Sequence, residues 1–236
     1  TTLLAQVDSS IGGKTGVDFN CYKNMVGAFH QPKLVYMNLS TLKTLTDEQF
    51  ACGMGEILKH GLIRDRSYYE WTLQHITEIK DRNLETLEQM ISGSCEIKRD
   101  VVEKDPMEKG ERALLNFGHT LGHAIEKLKN FTLMHGQCVA LGSLAAAYIS
   151  WKRGMITIKD FQTIQNANLD FGLPTILDGL NVEEIIQTTR SDKKMESGKV
   201  KFILLNAIGN ACIDPSVTDK EMKDSLQYLE NPFILK

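Results

Sequence analysis

The chain has 236 residues, 42% of them hydrophobic and 24% charged, with a formal net charge of −3. That is the make-up of a globular protein of one large domain or two small ones, and it carries no electrostatic footprint for nucleic acid or an anionic membrane. The longest apolar run, Cys138 to Trp151, is shorter than the ~20 residues of a membrane helix and reads as a buried helix.

Residues 1–46 mix glycine-rich loop (Gly12-Gly13-Lys14, Gly16, Gly27) with one strand-like run, Lys33-Leu34-Val35-Tyr36-Met37, entered through Pro32. The opening Thr1-Thr2-Leu3-Leu4 has no initiator Met, signal-like segment or transit peptide, and we expect it to begin in mid-fold with something upstream removed. From Thr46-Asp47-Glu48-Gln49, a capping-box signature, a helix is predicted to about Gly61. Further helices are predicted over Tyr68–Lys80 and Leu84–Lys104, the second with an apolar stripe (Leu84, Leu87, Ile91, Cys95, Val102) that Lys98 interrupts, and Asp105-Pro106 stops it. Helices over Arg112–Lys129, Gly136–Arg153, Ile158–Phe171 and Val182–Arg190 follow. Then come a strand over Lys199–Ile208, a turn at Gly209-Asn210 into Ala211-Cys212-Ile213, and a last helix Asp219–Leu229. The expected fold is mainly α: a multi-helix metal-binding domain with a small β-hairpin (47–236), preceded by a remnant of an α/β dinucleotide-binding domain (1–46).

Five cysteines (Cys21, Cys52, Cys95, Cys138, Cys212) lie far apart with no C-x-x-C pair, so structural thiols in a reducing cytoplasm are expected. His30, His60, His75 and both tryptophans are assigned to structure or surface.

The chemistry concentrates in Asn116-Phe117-Gly118-His119-Thr120-Leu121-Gly122-His123-Ala124-Ile125-Glu126. Two histidines at i and i+4 share a helix face and either hold one metal or divide metal and acid–base work. By itself the pattern equally fits two core histidines. His135-Gly136 opens the next helix and Glu56 sits on an earlier one; a carboxylate and two imidazoles with one open position is the donor set of a catalytic zinc site. On the predicted Arg112–Lys129 helix, Arg112 and Asn116 fall in line with His119 and His123. Lys14, Lys23, Lys59, Lys98 and Arg112 supply cations suited to a substrate bearing phosphate and carboxylate.

Leu4-Ala5-Gln6-Val7-Asp8-Ser9-Ser10-Ile11-Gly12-Gly13-Lys14-Thr15-Gly16, Lys23-Asn24, Gln31-Pro32, the Glu56 helix, the Asn116–Glu126 stretch and His135-Gly136 together resemble the 3-dehydroquinate synthases, in that family's order and as far as about Gly209. The resemblance implies an enzyme that cyclises a phosphorylated seven-carbon keto-acid sugar, 3-deoxy-D-arabino-heptulosonate 7-phosphate, with catalytic NAD and zinc (or cobalt). It implies metal ligands Glu56, His119 and His135, and proton-transfer roles for Glu108 and His123. Substrate contacts would come from Asp8, Lys14, Asn24, Lys59, Lys98, Arg112, Asn116, His123, His135 and one of Lys193 and Lys194. NAD contacts would come from Thr1, Thr2, Lys23, Thr41 and Thr44. It further implies a cytoplasmic homodimer with neither nucleic acid nor membrane as partner. The family's glycine-rich pyrophosphate loop is not in this sequence, so the chain alone is expected to bind metal without turning over. Gly55, Pro106 and Gln137 depart from the family's usual residues. Three rivals stand beside this reading: a sister cyclase giving an inosose- or valiolone-type product, a metal-dependent alcohol dehydrogenase, and a non-catalytic metal-binding fragment.

Overall fold

Local sequence chemistry sets most of the helix boundaries. In the computed structural model, which describes residues 1–19, 22–191, 195–196 and 199–231, α1 spans Asp47–Arg64 and its cap Thr46 accepts the Gln49 N–H. Asn83 caps α4 (Leu84–Lys104) in the same way, and Thr157 and Thr218 cap α7 (Ile158–Asp170) and α9 (Asp219–Glu230) with reciprocal boxes. Each such cap satisfies orphan donors of the first turn and is worth about 1 kcal/mol. Gln137 takes the same part at the start of α6 (His135–Lys152), accepting the Met134 N–H at 2.8 Å.

The core is built around α6, which is buried on every face from Cys138 to Ser150. It packs against α1, α7, α9, α5 (His119–Leu128) and the strand β5 (Phe202–Ala207). Leu3, Val7 and Leu42 belong to the same core. α8 (Val182–Ser191) lies against α5 and α9. Among the described residues no helix is long and apolar enough to cross a membrane. The described cysteines are free thiols; Cys21 lies outside the described residues.

Four expectations need correction. Lys33–Met37 forms no strand: Leu34 and Tyr36 are 83% and 85% exposed, and the segment joins no ladder among the described residues. The strands of this region are β1 (Lys14–Phe19) and β2 (Tyr22–Phe29), antiparallel with Gly16 opposite Gly27. Of the glycines taken for loop, Gly27 is demanded by this pairing, since a Cβ on it would lie 2.0 Å from the Thr15 carbonyl oxygen. The helix expected over Tyr68–Lys80 is two, α2 (Arg66–Gln74) and α3 (Ile76–Lys80). His75 breaks it by bonding the Trp71 carbonyl with its ring Nδ1 at 2.8 Å and stacking on that indole. The strand expected over Lys199–Ile208 divides at Lys201. Met195–Glu196 (β3) pairs with Lys199–Val200 (β4), while β5 turns at Gly209 (φ +83°) into β6 (Asn210–Asp214). There are therefore three hairpins among the described residues rather than one.

The fourth correction bears on function. No single helix runs from Arg112 to Lys129. A 3-10 turn over Glu111–Asn116 leads to Gly118 at φ +77°, and α5 begins only at His119. A left-handed residue is easily supplied only by glycine. A side chain there would also strike α6, its Cβ falling 2.7 Å from the Val139 carbonyl oxygen. Arg112 and Asn116 therefore do not share a helix face with His119 and His123.

Candidate metal centre and its ring of cations

Three helices deliver three donors to one buried point. α1 carries Glu56, which is fully buried, α5 opens with His119, and α6 opens with His135. The Nε2 atoms of both histidines lie 3.5 Å from the same oxygen, Glu56 Oε1. The approach depends on glycine: a Cβ on Gly136 would sit 1.8 Å from the Cys52 carbonyl oxygen, and one on Gly55 would sit 2.5 Å from that of Gly136. α1 and α6 thus touch backbone to backbone beside their ligands.

The surroundings decide which atoms face that point. Glu56 Oε2 is taken by the Lys59 ammonium, itself buried. His119 turns Nδ1 to the Phe117 carbonyl at 3.1 Å, and His135 turns Nδ1 to Glu126 Oε2 at 3.5 Å. Glu56 Oε1 is left buried with no hydrogen-bond partner, a costly state for a carboxylate oxygen. Two imidazole nitrogens and one orphaned carboxylate oxygen converging from rigid elements fit a divalent cation such as zinc or cobalt. His123 borders the same space, its ring 5.0 Å from that of His119 and 5.8 Å from that of His135. A second trio, Asp8, Glu56 and His60, has donor atoms within 4.8 Å of one another. Its Asp8 carboxylate is already bound by Lys98, and Glu56 Oε1 faces His119 and His135 instead.

Burial and charge displace the protonation equilibria here in opposite directions. Burial raises the Glu56 carboxyl, but Lys59 and the two histidines hold it well below the usual carboxylate range. Burial, followed by the Lys59 charge, holds His119 and His60 well below the ordinary histidine value of 6.5. Burial alone would also depress His135, yet Glu126 and Glu56 outweigh it and push it up to about 9.

The signs give a prediction for the metal-free chain. The His135 contribution to stability is complete below pH 6.5 and is lost as pH rises toward about 9. His60 and His119 resist protonation in the fold but not when unfolded, so their contribution is lost as pH falls below 6.5. Urea melts of the metal-free chain are expected to show maximal stability near pH 6.5, declining on both sides; a monotonic profile between pH 5 and 9 would contradict the assignment.

Around the centre lies a ring of cations, two of which grip the segment entering β1. Lys98, 6% exposed, bonds both the backbone carbonyl and the carboxylate of Asp8 at 2.5 Å. Arg112, 2% exposed, donates to the Gly12 carbonyl at 2.8 Å and the Pro106 carbonyl at 2.7 Å, leaving its Nε without a partner. Lys98 therefore does lie inside the protein, and it and Arg112 hold positions four residues apart on one segment. Lys14 pairs with Glu108, which also accepts from Asn116 Nδ2 at 2.9 Å and sits at φ +56°. A left-handed glutamate with two partners is a held group, of the kind that clusters at functional sites.

The expected NAD contacts are less gathered. Thr2 accepts the Ala5 N–H, Thr41 donates to the Asn38 carbonyl and Thr44 to that of Thr41, each within its own turn; Thr1 is exposed. Lys23 and Asn24 lie in β2, but their side chains are outside the described residues, as are Lys193 and Lys194 altogether. Sequence reasoning missed one buried group, and a residue that it assigned to structure or surface is buried. Glu126 falls seven residues after His119, hence on the same face of α5, a usable signal left unread. His60, one turn after Glu56, is fully buried with Nδ1 2.7 Å from Ser94 Oγ; nothing in its local sequence marks it.

Known proteins bear on this geometry. Residues 53–195 match the family model described as 3-dehydroquinate synthase C-terminal, and residues 1–52 the one described as 3-dehydroquinate synthase N-terminal. A 3-dehydroquinate synthase of Acetivibrio thermocellus is 42% identical over 94% of this chain and 62% of its own length. One of Nitrosospira multiformis is 45% identical over 92% of the chain and 60% of its own length. The chain thus spans about three-fifths of these relatives. Among solved structures, a 2-epi-5-epi-valiolone synthase of Streptomyces hygroscopicus with NAD+ and Zn2+ bound superposes with TM-score 0.91 at 23% identity, covering 98% of this chain and 65% of that one. A 2-deoxy-scyllo-inosose synthase complexed with carbaglucose-6-phosphate, NAD+ and Co2+ superposes with TM-score 0.85 at 25% identity, covering 96% and 65%. The fold is that of the sugar-phosphate cyclases, and by the family model that spans most of its length the chain belongs to the 3-dehydroquinate synthase family.

Proposed function

We propose that the chain is the metal- and substrate-binding part of a 3-dehydroquinate synthase. That enzyme converts 3-deoxy-D-arabino-heptulosonate 7-phosphate into 3-dehydroquinate and phosphate, a carbon–oxygen lyase step of the shikimate pathway in aromatic amino acid biosynthesis. The observation that carries the reading is the convergence of Glu56 Oε1 and the Nε2 atoms of His119 and His135, ringed by buried cations, in a chain of this family. Glu56, His119 and His135 would hold zinc, or cobalt in its place. When bound, that ion supplies Lewis acidity toward the substrate's hydroxyls and NAD supplies a reversible hydride acceptor.

The chain's own residues do the rest. Lys98 and Arg112, both desolvated, present charge where water screens it least, which suits them to the substrate's phosphate and carboxylate. Lys14 and Lys59 extend that field, while Asn116 and Asp8, with Asn24 and one of Lys193 and Lys194, would orient the sugar. Glu108, steadied by Lys14 and Asn116, is suited to accept a proton, and His123 beside the ligand histidines to pass one on. Thr1, Thr2, Lys23, Thr41 and Thr44 would contact NAD. A homodimer in the cytoplasm is part of the same reading. The sister-cyclase alternative is disfavoured by the higher identity to relatives named 3-dehydroquinate synthase than to the valiolone and inosose synthases.

The test is phosphate release from the seven-carbon substrate with NAD, by a protein carrying the full length of these relatives. Lys98→Met is expected to slow turnover on the order of 10²–10³-fold, the scale of losing one charge-stabilising group, with zinc content unchanged. Full activity in that variant, or release from a different sugar phosphate only, would sink the reading.

A further inference from the structure

Glu126 is a charged side chain with no part in the chemistry so far. It lies two turns beyond His119 on α5, is 4% exposed, and sets Oε2 3.5 Å from His135 Nδ1. A carboxylate held that far from water is costly unless something opposite answers it. The His135 ring is spanned by carboxylates, Glu126 on Nδ1 and Glu56 Oε1 on Nε2. His119 is arranged alike but with a neutral acceptor, the Phe117 carbonyl, on Nδ1.

A neutral imidazole keeps one lone pair, and the nitrogen facing an acceptor is the one that carries the proton. The acceptor therefore decides which nitrogen is left to bind. A carboxylate does this more forcefully than a carbonyl, because its charge also raises the basicity of the ring. We propose that Glu126 is a positioning residue of the metal centre: it holds His135 with Nδ1 protonated and Nε2 presented toward Glu56, and thereby sets how tightly the site retains a divalent cation. The inference rests on the metal reading above. His119, with only a carbonyl behind it, is the less strongly backed of the two ligands.

The experiment is a zinc titration of the metal-free 236-residue chain against a competing chelator, for the wild type, Glu126→Gln and Glu126→Ala. Glu126→Ala is expected to bind zinc 10–100-fold more weakly, the range for such supporting groups. Glu126→Gln should lose less, since its amide oxygen still accepts from Nδ1–H. In the zinc-loaded chain labelled with ¹⁵N-histidine, the His135 Nδ1–H should exchange slowly in the wild type and fast in Glu126→Ala, a signature that a merely space-filling role would leave alone. Should the alanine variant fail to fold, a several-fold loss in Glu126→Gln with an unchanged far-UV spectrum carries the proposal. Affinities within twofold of the wild type in every folded variant overturn it, as does a loss of thermal stability with no loss of affinity. A wild-type chain that takes up no zinc would sink the metal reading and this inference with it, whereas tight wild-type binding with unchanged variants sinks this inference alone.

Discussion

Replacing His135 by alanine is expected to abolish stoichiometric zinc retention on dialysis while leaving the fold intact. The ring is partly exposed, its side chain 24% accessible, so its removal opens space toward solvent instead of a void in the core. One ligand of three represents roughly a third of a binding free energy that reaches about 10–16 kcal/mol in structural zinc sites. Its loss should weaken binding on the order of 10³-fold. His119→Ala should do the same. Glu56→Gln should do more, because it also strips the buried Lys59 of its partner, and an unanswered buried charge costs about 3–5 kcal/mol. Elemental analysis of the dialysed proteins decides the matter: one zinc per chain in all three variants would mean that the centre is misassigned.

The second large effect is expected from a single methyl group. In Gly136→Ala the new Cβ would meet the Cys52 carbonyl oxygen at 1.8 Å and its carbon at 2.6 Å. Both belong to backbone within α1 and cannot swing aside as a side chain would. Relief requires α6 to move away from α1, which separates His135 from Glu56 and loosens the core around Cys138. We expect a destabilisation of roughly 3 kcal/mol or more, beyond the usual range for overpacking, and a melting temperature lower by about 6–12 °C for a chain of this size. Zinc affinity should fall with it. Gly154→Ala is the control. Its φ of +72° is strained for alanine, but nothing lies within 4 Å, so a cost of only about 1 kcal/mol is expected. Equal losses in the two variants would show that the helix crossing at Gly136 costs no more than a strained turn in open space.

Much of this architecture was legible because it is written locally. Thr46, Thr157 and Thr218 announce helix starts with hydroxyls three residues before their donors, and the stripe from Leu87 to Val102 has a helical period that the packing of α4 respects. What misled are glycines whose purpose is an approach from elsewhere in the chain. Gly118 reads as a tolerated helix residue until α6 is placed against it, and Gly16 and Gly27 read as loop until they face each other across a hairpin. The site divides the same way. His119 stands out by its i, i+4 partner His123 and Lys98 as a lysine on an apolar stripe, while Glu56 and His135 are singled out with the help of the family resemblance. Glu126 shares the His119 face of α5, but its part in the site lies in a contact with the first residue of the next helix, which only the folded chain brings near.

The grip on the opening residues has a consequence for limited proteolysis. Residues 26–36 are exposed throughout and invite cleavage. Ahead of that stretch, Leu3 and Val7 are fully buried, Leu3 abuts Gly53 of α1, and Asp8 and Gly12 are bound by Lys98 and Arg112. Cleavage there would sever the chain without freeing the smaller piece. The nicked protein should migrate as two bands under denaturing conditions yet elute as one particle from a sizing column, parting only in denaturant.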